Sequence, residues 1–131
     1  MTCAALLLAT IGACGSSTPA DDAGNLLSCY DASAVVITRL ADEASLLAAC
    51  SVDADCTATP IHFECPDQDV IIDSCPLPLA VDSTSAFADR TAAAADELCA
   101  TFEPSCRSSS TCQNVESHCV DGTCELMPVA P

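Results

Sequence analysis

Cysteine is the residue that most constrains this sequence, because the chain of 131 residues contains 12 of them. So high a share of cysteine in a short chain is typical of a disulfide scaffold, which persists only in oxidising compartments. Zinc is the main alternative use of many cysteines, but the Cys-x-x-Cys pairs of structural zinc sites do not occur here. We therefore expect structural disulfides, no bound metal and no cofactor.

Large apolar side chains are scarce, which makes cross-links more important. The chain has no tryptophan, and its three phenylalanines are Phe63, Phe87 and Phe102. A chain of this length forms one domain, and after N-terminal processing it is only slightly longer than the size at which a hydrophobic core needs additional support. Disulfides are the expected support.

The charge balance excludes one class of partner. The formal net charge is −16, the chain has no lysine, and Arg39, Arg90 and Arg107 are scattered singly. Binding to a nucleic acid or to an anionic lipid surface requires clustered cationic side chains. We therefore expect no nucleic-acid partner and attribute the negative charge to solubility.

The N-terminus predicts a location. Residues Ala4 to Ile11 are an apolar run that is too short to span a bilayer but suits the centre of a secretory signal. The tetrapeptide Ile11-Gly12-Ala13-Cys14 follows, and it resembles the bacterial lipobox, whose cysteine receives diacylglycerol before cleavage on its N-terminal side. We expect residues 1–13 to be a lipoprotein signal peptide and Cys14 to be lipidated.

The residues after Cys14 suit a membrane tether. Residues 14–27 begin with small and polar side chains, so they are predicted to form a flexible spacer between the lipid and a folded domain. In having Gly15 directly after the cysteine, the chain resembles lipoproteins that are sent to the outer membrane. Removing Cys3 and lipidating Cys14 leaves an even number of cysteines for disulfides of unknown pairing: Cys29, Cys50, Cys56, Cys65, Cys75, Cys99, Cys106, Cys112, Cys119 and Cys124.

Two helices are expected in the folded domain, residues 28–131. The apolar spacing from Asp31 to Ala49 predicts the first helix, with Asp31 as its N-cap. A second helix is predicted from about Ser83 to Phe102, capped by Asp82 or Ser83 and ended by Pro104.

Short strands are expected between and after these helices. Thr57 to Glu64 and Val70 to Asp73 are rich in β-branched and aromatic residues, and Leu77 to Val81 is a candidate third strand. Proline donates no hydrogen bond to a ladder, so the prolines at 60, 76 and 78 restrict these strands to edges or ends.

The C-terminal region predicts a β-hairpin. Asp121-Gly122 favours a two-residue type I′ turn, which places Val120 opposite Thr123 and Cys119 opposite Cys124. These two cysteines either bond each other or bond different partners. Together, the patterns predict a small disulfide-rich α+β domain with two helices packed on a short antiparallel sheet and a C-terminal hairpin.

Three segments together resemble a known group of proteins. They are Cys50-Ser-Val-Asp-Ala-Asp-Cys56, Cys75-Pro-Leu-Pro-Leu-Ala-Val81 before an alanine-rich helix, and Cys119-Val-Asp-Gly-Thr-Cys124-Glu-Leu126. Over about residues 45 to 127, the chain resembles small cysteine-rich lipoproteins of myxobacteria and related Gram-negative bacteria, which have no assigned activity. The resemblance implies an envelope location and a small α+β fold, and it transfers no catalytic residue.

The sequence does not predict an enzyme. The only histidines are His62 and His118, and no serine lies in a Gly-x-Ser-x-Gly context. A disulfide oxidoreductase would need a closely spaced cysteine pair, which is also absent.

Two binding alternatives stay open. The acidic spacing Asp67-x-Asp69-x-x-x-Asp73 weakly resembles a calcium loop, although it lacks the central glycine and the closing glutamate. The segment Cys75-Pro76-Leu77-Pro78-Leu79 could present a rigid extended chain to a protease.

We therefore expect a lipid-anchored protein of the bacterial cell envelope, at the outer membrane, with a non-catalytic structural or protein-binding role. Its expected partners are the membrane, through the lipid on Cys14, and an unknown envelope or extracellular protein; the sequence indicates no oligomeric state. The alternatives are a secreted protease inhibitor and, after that, an envelope enzyme or a calcium-binding module.

Overall fold

The fold is seen in a computed structural model that describes residues 25–130. The signal peptide predicted at 1–13, the lipidation site Cys14 and the tether as far as residue 24 lie outside the described residues. The elements in chain order are α1 (Cys29–Ser45), β1 (Cys56–Cys65), β2 (Asp69–Ala80), α2 (Thr84–Leu98), β3 (Ser105–Ser108), β4 (Val115–Val120) and β5 (Thr123–Pro128). The predicted α+β class is confirmed.

The strands form two separate sheets. Strands β1 and β2 pair antiparallel, and β4 pairs with β5 antiparallel in the predicted C-terminal hairpin. Strand β3, which the sequence did not predict, pairs parallel with the first four residues of β2. The candidate third strand at Leu77 to Val81 is not separate, because β2 continues through Ala80.

The three prolines lie where the ladder tolerates them. Pro76 and Pro78 are in the half of β2 that has only β1 beside it, since β3 pairs with residues 69–72 alone. Pro60 lies at the register shift between Thr59 and Ile61. None of the three prolines therefore lies in a regular ladder between two neighbouring strands, where its missing N–H would leave a hydrogen bond unmade, as the sequence predicted.

Helix α1 begins earlier and ends earlier than predicted. Ser28 is its N-cap, and the Ser28 hydroxyl oxygen accepts a hydrogen bond from the Asp31 backbone N–H, so the prediction of Asp31 as N-cap was wrong. The helix ends at Ser45 instead of Ala49. The backbone that follows is drawn into the C-terminal hairpin, because the Ala48 carbonyl accepts from the Cys124 N–H at 2.7 Å.

Helix α2 has Ser83, one of the two predicted residues, at its N-cap position, and it ends before the predicted Phe102. It begins at Thr84 after a 3₁₀ turn, Val81–Ser83, and neither Asp82 nor Ser83 supplies a side-chain cap. The Thr84 hydroxyl instead donates to the Val81 carbonyl at 3.2 Å. The helix ends at Leu98, and a second 3₁₀ turn leads to the buried Phe102.

The core lies between the helices and the inner face of the three-stranded sheet. Strand β1 alternates strictly here: Ile61 and Phe63 point inward, whereas His62 and Glu64 point to solvent. The ring centroids of Phe63 and Phe102 are 6.1 Å apart at an interplanar angle of 57°, within the range of favourable aromatic pairs. The other large core side chains are Val36, Leu40, Val70, Ile72, Leu79 and Phe87.

Five disulfides link the elements of the described domain. They are Cys29–Cys106, Cys50–Cys119, Cys56–Cys124, Cys65–Cys99 and Cys75–Cys112. The ten cysteines expected in bridges are thus all paired. Every bridge joins segments that are at least 34 residues apart in sequence, so the cross-links hold tertiary structure and not merely local turns.

The hairpin has the predicted register. Val120 lies opposite Thr123 and Cys119 lies opposite Cys124. The φ angles are 51° at Asp121 and 83° at Gly122, both positive as a type I′ turn requires. Cys119 and Cys124 do not bond each other. Cys119 bonds Cys50, and Cys124 bonds Cys56.

Gly122→Ala is expected to lower the free energy of unfolding by about 1–2 kcal/mol, since a Cβ disfavours positive φ. The nearest atom to such a Cβ would be the Cys50 carbonyl oxygen at 4.0 Å, so the cost is backbone strain and not a clash. Chemical denaturation measures the change, and Asp121→Asn, which tolerates positive φ, is the control with little expected effect.

Candidate functional site

Both histidines lie between carboxylates. The Nδ1 atom of His62 is 2.6 Å from Asp73 Oδ1, and its Nε2 is 3.5 Å from Glu64 Oε2. His118 has the same arrangement, with Asp53 at 3.1 Å and Glu116 at 3.5 Å. Neither ring forms a hydrogen bond with a serine or threonine hydroxyl within residues 25–130. In these positions the imidazoles form ion pairs when they are protonated, the exposed His62 with Asp73 and the half-buried His118 with Asp53.

These neighbours make the two histidines pH-sensitive. The Asp73 hydrogen bond raises the pKa of His62 above the ordinary value of 6.5, and the Asp53 hydrogen bond raises the pKa of His118 in the same way. A histidine with a raised folded pKa stabilises the fold fully below about 6.5. That contribution is lost as the pH rises through the folded pKa.

Asp53→Asn is expected to return the pKa of His118 towards 6.5 and to leave that of His62 unchanged, because the two pairs are separate. Asp73→Asn should have the reciprocal effect. Titration of the two imidazole Cε1 protons by NMR measures both pKa values. An equal response of both histidines to one substitution would contradict the assignment.

The candidate calcium residues do not converge. Asp69 and Asp73 are four residues apart on β2, about 13 Å along an extended strand. The Asp69 carboxylate accepts from Arg107 at 2.6 Å, and the Asp73 carboxylate is paired with His62. The structure therefore does not bring these two carboxylates together as an ion site.

The candidate inhibitor segment, residues 75–79, is not a projecting loop. It belongs to β2, where Leu77, Pro78 and Leu79 lie opposite Thr59, Ala58 and Thr57. Strand β1 pairs with one edge of this segment, and within the described residues no strand pairs with its other edge. The segment is extended but forms part of the sheet, and the inhibitor alternative stays a prediction.

A groove lies at the end of the domain where α1 ends. It is a surface cavity of about 410 Å³ between the loop of residues 49–55 and residues 80–82, and we call it the distal groove. Apolar side chains are exposed at this end, with Val52 57% and Val81 46% accessible. Leu46 is also at this end and is 71% accessible. The carbonyl of the next residue, Leu47, accepts a hydrogen bond from the Ala80 N–H at 2.9 Å.

Backbone hydrogen bonds and two disulfides hold the wall of the distal groove. The Cys50 N–H donates to the Gly122 carbonyl at 3.0 Å, and the Cys50–Cys119 and Cys56–Cys124 bridges fix both ends of the loop to the hairpin. The loop is therefore pre-formed by contacts with distant segments.

Two aspartates brace the loop from within. The Asp55 carboxylate accepts the Ser51 and Val52 N–H groups at 2.8 and 3.1 Å, and these hydrogen bonds lower the pKa of Asp55. The Asp53 carboxylate accepts the Cys119 N–H at 2.8 Å, which lowers the pKa of Asp53. Both carboxylates thus serve the loop structure and are not free ligands.

Three sulfur atoms meet behind this loop. The Sγ atoms of Cys50, Cys56 and Cys124 lie within 4.8 Å of one another. All three belong to disulfides, and a metal binds the thiolate form of cysteine, so the cluster is a structural junction. The segment Cys50 to Cys56 is distinctive in the sequence, but the groove is not predictable from it, because the opposite wall comes from the end of β2.

Comparisons with known proteins give no relative: no family model, no curated protein and no solved structure matches the chain. Within the described residues, no helix is both long and apolar enough to cross a membrane. The five disulfides identify a disulfide-stabilised domain, which is typical of proteins outside the cytoplasm.

Proposed function

We infer that the chain is a lipid-anchored cell-envelope protein whose disulfide-braced domain binds another protein through the distal groove. The observation that carries this proposal is the bracing itself. Two of the five disulfides and several long-range hydrogen bonds fix one exposed loop, which Asp55 also braces from within. Such a pre-formed surface lowers the ordering cost of binding.

The lipid anchor rests on the N-terminal sequence and on cysteine arithmetic. Ten cysteines pair among themselves in the described domain, so no bridge of the domain requires Cys14. The resemblance of residues 11–14 to the lipobox assigns this cysteine to diacylglycerol. The wider resemblance to cysteine-rich lipoproteins of Gram-negative bacteria supports the same location.

Intact mass tests the anchor directly. The protein isolated from the membrane fraction of a Gram-negative host should have a mass that begins at Cys14 plus lipid. Ten cysteines should become reactive to an alkylating reagent only after reduction. Cys14→Ser should remove the lipid mass and, because lipidation precedes cleavage, leave residues 1–13 attached, while the ten disulfide-bonded cysteines stay protected. An unlipidated wild-type chain would contradict the anchor.

Site-specific crosslinking tests the distal groove. A photo-crosslinking amino acid at Val81, which lines the groove and is 46% accessible, should yield a discrete crosslinked protein in intact cells. The same group at Val129, which is 41% accessible but lies after β5, is the matched control and should yield none. A discrete product at both positions, or at neither, would contradict the groove as the binding surface.

A further inference from the structure

Two disulfides lie side by side behind the distal groove, and we call their residues the four-cysteine cluster: Cys50, Cys56, Cys119 and Cys124. The Sγ atom of Cys50 lies within 4.8 Å of both sulfurs of the Cys56–Cys124 bridge. Within the described residues, no other bridge has a third cysteine sulfur within that distance of both its own. A sulfur freed in this cluster therefore has a second disulfide within reach.

The hairpin brings two members of the four-cysteine cluster face to face. Cys119 lies directly opposite Cys124. Their backbone N–H groups donate away from each other, to the Asp53 carboxylate and to the Ala48 carbonyl, so the two residues form a non-hydrogen-bonded pair. The Cα atoms of such a pair are about 4.5 Å apart, within the range that a disulfide spans. Cys119 and Cys124 can therefore bond each other without a change of strand register.

The distal groove gives a thiol in solution access to the cluster. Cys50 is half-buried and lines the groove, whereas Cys124 is only 2% accessible. Disulfides exchange by attack of a thiolate on a sulfur that it can reach. The Cys50–Cys119 bridge is therefore the entry point, and the sulfur of Cys124 is attacked from inside the domain.

We propose that the four-cysteine cluster is a disulfide-exchange centre that a small monothiol switches between two pairings. The monothiol, as its thiolate, attacks Cys50, forms a mixed disulfide there and releases Cys119 as a thiolate. The Cys119 thiolate attacks Cys124, and Cys56 leaves as a thiolate. The Cys56 thiolate then attacks Cys50 and releases the monothiol as its thiolate. Each step forms one S–S bond and breaks one, so the exchange involves no net oxidation or reduction.

The second pairing, Cys50–Cys56 with Cys119–Cys124, frees the wall of the distal groove. In the structure, the two bridges of the cluster are the covalent links between the groove loop and the hairpin. After the exchange, the loop and the hairpin are each closed on themselves. Hydrogen bonds alone then join them, such as the one from the Cys50 N–H to the Gly122 carbonyl. The effect on binding rests on the proposed function, whereas the exchange itself does not.

Cys50→Ser tests the central step, because it leaves Cys119 as a free thiol opposite the Cys56–Cys124 bridge. The full chain is equilibrated at neutral pH, and acid then stops the exchange by protonating thiolates. Alkylation in acid and peptide mass analysis locate the free thiol. We expect it at Cys56 as well as at Cys119, together with a Cys119–Cys124 bridge. A free thiol found only at Cys119 would overturn the proposal.

The matched control is Cys112→Ser, which frees Cys75 in the same way. Within the described residues, no third cysteine sulfur lies within 4.8 Å of both sulfurs of the Cys75–Cys112 bridge. We therefore expect the free thiol to stay at Cys75. An equal spread of the free thiol to other cysteines in this control would show general scrambling after the loss of any bridge, and it would contradict a dedicated exchange centre.

The wild-type chain provides a second test, which does not depend on the folding of a variant. With a trace of reduced glutathione, we expect the Cys50–Cys56 and Cys119–Cys124 bridges to appear together while the other three bridges stay intact. Peptide mass analysis after an acid quench measures all five bridges. Equal loss of all five, or no new pairing, would overturn the exchange.

Crosslinking at Val81 separates this proposal from the proposed function. We expect the crosslinked product to be lost from intact cells when the cluster is exchanged by glutathione. A product that persists after exchange refutes the control of the distal groove. If no product forms before or after exchange, the groove is not the binding surface, and the disulfide mapping alone decides the exchange.

Discussion

Replacing Cys29 and Cys106 together by alanine is expected to lower the free energy of unfolding by about 4 kcal/mol. This bridge ties the first residue of α1 to β3 and joins positions 77 residues apart. Its loss frees a long segment of the unfolded chain, and it also removes a sulfur pair from the core, since Cys106 is only 3% accessible. Chemical denaturation with the other four disulfides intact measures the change.

The matched control removes Cys75 and Cys112 in the same way. That bridge joins positions 37 residues apart, and Cys112 is exposed. Alanine at both positions is therefore expected to cost about 1 kcal/mol less, because the shorter loop accounts for about 0.6 kcal/mol of the difference and no core volume is lost. Equal losses for the two double variants would show that neither loop length nor burial decides the contribution of a bridge here.

Local sequence information was sufficient for the hairpin. The Asp121-Gly122 pair favours positive φ at both turn positions, and a two-residue loop leaves one register for the strands. The placement of Cys119 opposite Cys124 followed from that register. The partners of these cysteines did not, because ten cysteines allow about 945 pairings and only the three-dimensional fold chooses among them.

Tertiary contacts decided the features that the sequence misplaced. Strand β3 is short and serine-rich, with little β propensity of its own, and it forms because β2 offers an open edge. Residues 46–49 have acceptable helix propensity, yet they leave α1 to bond with β2 and the hairpin. Ser28 and Asp31 are both good capping residues, and Ser28, which comes first in the sequence, occupies the N-cap position.

The distal groove could not be predicted for the same reason. One wall is a loop that the sequence marks with two cysteines and two aspartates, but the other wall is the end of β2, about 30 residues later. The residues of each wall are unremarkable alone. Their functional interest comes from the bridges to the hairpin, which no local pattern encodes.

Phe63→Ala is expected to have the second large effect, a loss of about 3–5 kcal/mol in the free energy of unfolding. Phe63 is fully buried and packs on Phe102, in a core that contains few other large side chains. Disulfides restrict the unfolded chain but do not fill space, so they do not compensate for the cavity. Denaturation under oxidising conditions measures the loss.

The neighbouring residue provides the control. His62 is on the same strand but points to solvent, so His62→Gln at alkaline pH, where its ion pair is already lost, should change stability by no more than about 0.5 kcal/mol. A small loss for Phe63→Ala would mean that the five bridges alone hold the fold. We expect the opposite, because each bridge leaves the segments between its ends free to move unless the core packs them together.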